Sequence, residues 1–398
     1  MKKLLMATAA TAIMGAGAAH ADGHGAIKLG ILFGFTGPIE TLSPHMASGG
    51  EAAMAEVNAA GGILDGHMVE AVRADSGCID NGLATSNAEK LISSDGISGL
   101  IGADCSGVTG AVLQNVAIPN GMVMISPSAT SPALSTAEDN DLFFRTAPSD
   151  AREGQILSDI MMERGFKSAA LTYTNNDYGK GIAESFAAAY TAAGGEITIS
   201  AAHEDGKADY SAEIGALAAA GGDILVVAGY LDQGGLGIIN ASLDSGAYEQ
   251  FALPGGMIGD SLPENVGADL NGSFGLIAGV GGDSAEKMAT IGAANDFDST
   301  SSFTSETYDA AALFMFAMEA AGSSNAADYG SKIMEMANAP GEKIYPGELA
   351  KGLEIIRNGG DIDYVGGSAV ELIGGGESGG SYRIIEVQDG ANVTVEYR

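Results

Sequence analysis

The chain has 398 residues, 46% of them hydrophobic, which is enough for two or three domains that each bury a core. Its 51 acidic residues against 18 basic ones give a net charge of −33, a surface that repels nucleic acid and anionic lipid headgroups and favours solubility. Beyond the first residues no run of 18 uninterrupted apolar residues occurs, so no later segment reads as a membrane span.

The opening MKKLLMATAATAIMGAGAAHA places Lys2 and Lys3 before a short apolar run and then Ala19-His20-Ala21. A basic start, an apolar middle and an A-x-A site make a cleavable secretory signal over residues 1–21, so the expected exported chain begins near Asp22. Apolar strand-like runs then alternate with Ala-rich helical ones. IKLGILFGF (27–35) leads to a helix over 46–60, HMVEAVRAD (67–75) to one over 82–94, and GISGLIGA (96–103) to one over 107–119, before GMVMIS (121–126) closes the series. A second series follows: SAALTYT (168–174), EITISAA (196–202), DILVVAGY (223–230) and EQFALPGG (249–256), separated by helices over 179–195, 210–222 and 234–246. Strands that are apolar throughout and joined by helices predict parallel sheets covered on both faces. Gly61-Gly62, Gly194-Gly195 and Gly221-Gly222 stand where the helices should stop. The expected fold class is therefore α/β with two Rossmann-like, doubly wound lobes, and FFRTAPSD (143–150) is the expected first link between them. FGLIAGVGG (274–282) precedes helices over 306–322 and 329–339. The tail reads as strands at 368–374, 382–388 and 392–398, with GGGESGG (374–380) as a hairpin loop.

Cys78 and Cys105 are the two cysteines, and an even pair in an exported chain reads as a disulfide. It would contribute about 3–4 kcal/mol by constraining the unfolded chain.

In open α/β sheets, ligands bind beyond the carboxyl ends of the strands. Two hydroxyl-rich stretches lie there in the first lobe, GADCSGVTG (102–110) and VMISPSATSPAL (123–134). Hydroxyls and free backbone N–H groups at such ends suit a carboxylate; the plainer role for Ser106 and Ser128 is to cap the segments that follow. In the second lobe TNNDYGKG (174–181) and AGYLDQGG (228–235) each set a tyrosine just past a strand, placed to close over a ligand or simply to sit at the rim. Catalytic signals are poor. GDSL (259–262) spells a hydrolase motif, but none of His20, His24, His45, His67 and His203 follows it to serve as base. The G-x-S-x-G match GESGG (376–380) falls in the expected hairpin loop and not at a strand-to-helix elbow, no Walker loop or G-x-G-x-x-G after the first strand occurs, and no cofactor or metal is expected.

Together TGP (36–38), NAAGGILDG (58–66), the cysteine pair, CSGVT (105–109), SPSATSP (126–132), FFRTAPSD, NDYGKG (176–181), GGDILVVAGY (221–230) and TYDAA (307–311) resemble the leucine/isoleucine/valine-binding family of ABC-transporter substrate-binding proteins. The resemblance implies a periplasmic binding protein of type I, its lobes joined by three crossovers that close on a small ligand. Lobe one would be 27–146 plus 283–361 and lobe two 147–282 plus 362–398, with crossings near 145–149, 279–283 and 360–364. It implies a bridged Cys78–Cys105 pair, a monomer in the periplasm, and a membrane permease as partner. Ser106, Ser128 and Thr130 would grip a ligand carboxylate, and Tyr178 and Tyr230 would close from lobe two. Two positions depart from the family: the acid that pairs with an amino acid's ammonium falls on Gly255, and a ligand-facing tyrosine falls on Leu42. Asp104, Asp232 and Asp260 are the candidates to replace the acid, Asp104 first, the other two reading more simply as solvated loop acids. Otherwise the ligand is a carboxylate without an amine, or a small amide. The other function classes weighed are a ligand-sensing protein of the same fold and an exported hydrolase.

Overall fold

The structure is a computed structural model and describes residues 25–398; the expected signal peptide, residues 1–21, lies outside them. In the first lobe β1 (Ile27–Phe33), β2 (Val69–Asp75), β3 (Gly99–Gly102), β4 (Met124–Ser126) and β5 (Phe143–Pro148) lie parallel in the order β2-β1-β3-β4-β5. Ile27 pairs with Val69 across one edge of β1, and Leu29 with Gly99 across the other. Leu29, Ile31, Leu32 and Phe33 lose all contact with solvent, as expected of a strand covered on both faces. β6 (Ser168–Thr174), β7 (Glu196–His203), β8 (Ile224–Ala228), β9 (Phe251–Leu253) and β10 (Phe274–Ala278) repeat the arrangement as β7-β6-β8-β9-β10. In each lobe the strand order reverses beside the first strand, which opens a crevice at β1/β3 and another at β6/β8.

The helix Ser43–Ala59 packs along the helix Thr304–Ala321, whose residues from Thr307 to Met318 are all buried. The approach is close: a Cβ on Gly49 would stand 2.5 Å from the Thr304 carbonyl oxygen, so glycine is needed there. Among the described residues no helix is long and apolar enough to cross a membrane.

The segment expected to link the lobes is mostly β5 itself. The chain leaves the first sheet at Pro148, and the helix Asp150–Glu163 already packs on the second lobe's helix Asp177–Ala192. After β10 the helix Asp283–Asn295 returns to pack against Ser43–Ala59.

The third crossing lies later than expected. β11 (Glu342–Ile344) and β12 (Ile362–Tyr364) form a separate parallel pair. β13 (Leu372–Ile373) and β14 (Glu377–Ser378) make a hairpin, and β14 adds to the first sheet beside β5. Only then does the chain enter the second sheet, where β15 (Tyr382–Gln388) runs antiparallel to β10 and β16 (Ala391–Tyr397) antiparallel to β15. Residues 362–378, placed in lobe two from the sequence, therefore belong with lobe one. The cause is Asp309, buried in the helix Thr304–Ala321. Its carboxylate accepts from the Tyr364 hydroxyl at 2.7 Å, the Gly367 N–H at 2.7 Å, and the Ser368 N–H and hydroxyl at 2.8 and 2.6 Å. A buried carboxylate with four donors is strongly held, and it fixes this stretch to lobe one. GGGESGG is thus divided between the β13–β14 turn, β14 and the start of the crossing.

Candidate functional site

The carboxyl ends of β3, β4, β6, β8 and β9 converge on one pocket between the lobes. Lobe one lines it with Ile39, Leu42, Met46, Asp104, Cys105, Ser106, Ser128, Thr130 and Phe303, and lobe two with Glu153, Tyr178, Tyr230, Gly255 and Gly256. The cavity left at its centre is only about 30 Å³, room for a water or two and not for an organic solute. A ligand therefore enters only when the lobes part or the aromatic rings swing aside.

The lobe-one wall is set by local hydrogen bonds. After β4 the Ser126 hydroxyl donates to the Ala103 carbonyl at 2.5 Å and accepts the Ala129 N–H at 3.0 Å, which turns the chain back toward β3. Arg145 of β5, 1% exposed, holds the loop from below: Nη1 donates to the carbonyls of Ala129 and Ser131 at 3.0 Å each, and Nη2 to the Ser135 hydroxyl at 2.7 Å and to Glu377. Ser128 Oγ donates to the Asp104 carbonyl at 3.0 Å, and Ser106 Oγ accepts the Ser131 N–H at 3.1 Å. Ser106, Ser128 and Thr130, singled out from two separate strand ends, thus meet on one wall. Cys78 and Cys105 are joined in a disulfide beside them.

The lobe-two wall is aromatic. Tyr178 and Tyr230 stack with ring centroids 5.0 Å apart, and the Tyr178 hydroxyl accepts the Gly256 N–H at 2.9 Å. Gly256 has no room for a side chain, since a Cβ there would lie 2.6 Å from both the Gly229 carbonyl and the Tyr178 hydroxyl. Leu42, where a tyrosine was expected, joins Ile39, Met46 and Phe303 in an apolar patch.

The acids fall into three places. Asp104, 1% exposed, accepts from the Gly34 N–H, the Ser76 hydroxyl at 2.8 Å and the Cys105 N–H at 3.0 Å, so its carboxylate ties the end of β1 to the disulfide. Burial raises its pKa, and those donors oppose the rise. Asp232 and Asp260 do not line the pocket. Asp232 reaches across the cleft mouth to lobe one, where it accepts the Thr41 N–H at 2.9 Å and the Thr41 hydroxyl at 2.8 Å. Asp260 accepts from Asn392 at 3.3 Å in an outer groove that also holds His45 and Ser261.

A third pair was not singled out from the sequence. Asp150 and Glu153 open the helix Asp150–Glu163 and are 0% and 3% exposed. Glu153 Oε1 accepts the Gly255 N–H at 2.7 Å; burial, and then the Asp150 carboxylate, push its pKa well above the ordinary range. Asp150 is raised to about 7 by burial, with the Thr130 hydroxyl and Arg145 pulling the other way, yet neither of its oxygens completes a hydrogen bond. In sequence the two acids pass for ordinary first-turn residues that suit a helix dipole. The available signal was their position directly after the expected link. Phe303, Ile39 and Met46 lay in stretches that carried no polar motif.

Comparison with known proteins adds to this geometry. The family model for periplasmic binding proteins matches residues 26–341. Leu/Ile/Val-binding protein homolog 3 of Brucella melitensis is 32% identical over 259 residues, 64% of this chain and 66% of the relative, so the matched stretch spans just under two thirds of that protein. Among solved structures, the branched-chain amino acid transporter substrate-binding protein LivJ of Streptococcus pneumoniae, in complex with isoleucine, is similar with a TM-score of 0.76 and 22% identity, over 94% of this chain and 99% of that one. A solute-binding protein of an ABC transporter from R. palustris, in complex with 4-hydroxybenzoate, has a TM-score of 0.77 and 17% identity, over 94% and 97% of the two chains.

Proposed function

This chain belongs to the periplasmic binding protein family, and on that footing we propose that it is the solute receptor of an ABC importer. It takes a small amino acid or related carboxylate into the cleft between its lobes and presents the closed form to a membrane permease. The observation that carries this reading is the two-sided pocket, with hydroxyls from lobe one facing stacked tyrosines from lobe two. Ser128 and Thr130 sit beside backbone N–H groups at strand ends, and such donors satisfy a carboxylate even in an acidic protein, because they act at short range while distant charges are screened. Tyr178 and Tyr230 supply an apolar cover with polar tips. Closure about the crossovers buries the ligand.

The reading includes export to the periplasm after loss of residues 1–21, action as a monomer, and no chemistry on the ligand. Ser261 of the GDSL stretch donates to Asp232 at 3.0 Å, and the His45 Nδ1 in the same groove accepts the Asp298 N–H at 3.2 Å, so neither group is directed at the pocket. Amine-free carboxylates form a second ligand class, supported by the apolar patch of Ile39, Leu42, Met46 and Phe303 and by the 4-hydroxybenzoate complex among the similar structures.

A thermal-shift screen of amino acids, deaminated acids and amides tests the reading, because a ligand that binds only the folded form raises the melting temperature by mass action. A clear shift with small carboxylates is expected. No shift with any of them would refute the assignment.

A further inference from the structure

We infer that Glu153 is the group that grips a ligand ammonium, so that the solute is a small amino acid and not an amine-free acid. This rests on the receptor reading above and narrows its ligand class.

Position is the first argument. The acid expected at residue 255 is replaced by glycine, yet a carboxylate is present there. A Cβ built on Gly255 would lie 3.4 Å from Glu153 Oε2 and 3.6 Å from Oε1. The helix Asp150–Glu163 thus delivers an acid to the place from which a side chain at 255 would grow. Its Oε1 is held by the Gly255 N–H at 2.7 Å, while among the described residues no hydrogen bond is made to Oε2, and Glu153 lines the pocket.

Charge is the second. Glu153 and Asp150 are two buried acids within one helical turn, and both Asp150 oxygens are unpartnered. The buried cation nearby, Arg145, has its donors taken by two carbonyls, Ser135 and Glu377. A buried carboxyl with no cation beside it is costly to ionise, and a cationic guest relieves that cost when it enters. Asp104 competes poorly for the same role because three donors already occupy its oxygens.

The third is the layout of the pocket. The hydroxyls of Ser106, Ser128 and Thr130 come from lobe one and the Glu153 carboxylate from lobe two, so one cavity offers both donors and an acceptor to a small guest. A zwitterion presents its two charges in that sense. An amine-free acid would use the hydroxyls and leave Glu153 facing nothing positive.

The acid is raised by burial before binding, and an arriving ammonium favours its ionised form, so binding an amino acid should release a proton. The groups set against Glu153 are Asp150 on its own helix, Tyr178 from the helix Asp177–Ala192 and Tyr382 from β15; none is cationic, and Arg145 acts on Asp150 from β5.

The test is calorimetry on the exported chain and its Glu153→Gln variant. The probes are the protein amino acids, with benzoate and 4-methylpentanoate as amine-free acids, in buffers of different ionisation heat. The wild-type chain is expected to prefer an amino acid and to release a proton on binding it. Glu153→Gln should weaken that ligand at least 30-fold and change the amine-free acids less than threefold. Stronger wild-type binding of an amine-free acid than of any amino acid would overturn the inference and leave the receptor reading standing. Equal amino-acid affinity in the variant would overturn it too. Binding of no carboxylate at all would remove both. Should the variant fail to fold, proton release by the wild-type chain decides, and its absence counts against Glu153.

Discussion

Asp232 offers a test of how the lobes hold together. It lies just after β8 in lobe two, and its side chain receives the Thr41 N–H at 2.9 Å and the Thr41 hydroxyl at 2.8 Å from lobe one, while its own N–H donates to the Pro38 carbonyl at 3.0 Å. Asp232→Ala removes the two side-chain contacts and leaves the backbone one. A hydrogen bond to a charged acceptor is worth about 1.5–3 kcal/mol when buried. These lie at the solvent-exposed mouth, so about 1–2 kcal/mol for the pair is the appropriate scale. At about 1.4 kcal/mol per tenfold, the closed form loses roughly 5–30-fold in population relative to the open one, and apparent ligand affinity falls by the same factor. Calorimetry and stopped-flow binding read this directly. The loss should appear in the dissociation rate, because the mouth contacts form after the ligand has entered. Ser261→Ala removes a donor to Asp232 from within lobe two, at 3.0 Å, and should change affinity less than threefold. If Asp232→Ala bound as tightly as the wild-type chain, the side-chain contacts across the mouth would not stabilise the closed form.

Three further outcomes follow from the same geometry. Ser128→Ala combined with Thr130→Ala should weaken ligand binding at least tenfold in calorimetry if their hydroxyls, which line the pocket, receive a carboxylate; unchanged affinity would remove that role. Stability should fall as pH rises from about 5.5 to 8.5. Burial raises Glu306 to about 8, Asp150 to about 7 and Asp309 to about 6, so what their protonated forms contribute is fully present below the unfolded carboxyl range and is lost as pH rises through those values. His203, lowered to about 4 by burial, acts oppositely: its contribution is present above about 6.5 and is lost as pH falls toward 4, which offsets part of the carboxyl gain on the acidic side. Thermal melts should show this, with a flatter profile for Glu306→Gln; a melting temperature that climbs between pH 5.5 and 8.5 would contradict it. Replacing Cys78 and Cys105 by alanine should cost about 3–4 kcal/mol in denaturant unfolding and loosen the turn that carries Asp104 and Ser106, while an unchanged midpoint would deny the bridge a stabilising role.

Long apolar periodicity made most of the fold readable in the sequence. The strand expected at 168–174 is β6, residue for residue, because an apolar run bounded by helices has few other ways to be buried, and the one expected at 382–388 is β15, which buries Tyr382, Ile384, Ile385 and Val387 and leaves Gln388 exposed. The tail was harder. Of 368–374 only Leu372 and Ile373 are extended, and β14 is two residues long, too short for any period to register. Its lobe is chosen by the Asp309 hydrogen bonds, which pattern does not reveal. The site divides in the same way. Ser106, Ser128, Thr130, Tyr178 and Tyr230 stood out because hydroxyls and tyrosines follow apolar strands, and all five line the pocket. Asp104 lines it too, but with its carboxylate turned toward Ser76 and the Gly34 and Cys105 N–H groups. Glu153 was hidden because nothing local marks it as more than a first-turn acid; only the packing of its helix beside Gly255 brings it to the pocket.

Receptor function requires the two lobes to part to admit a solute and then close over it, since the cavity between them measures only about 30 Å³. Small-angle X-ray scattering of the exported chain, free and saturated with the ligand found by the thermal screen, measures this most directly. The radius of gyration should be larger without ligand and contract on binding to the value of the closed structure. A radius that stays at the closed value with and without ligand would contradict it.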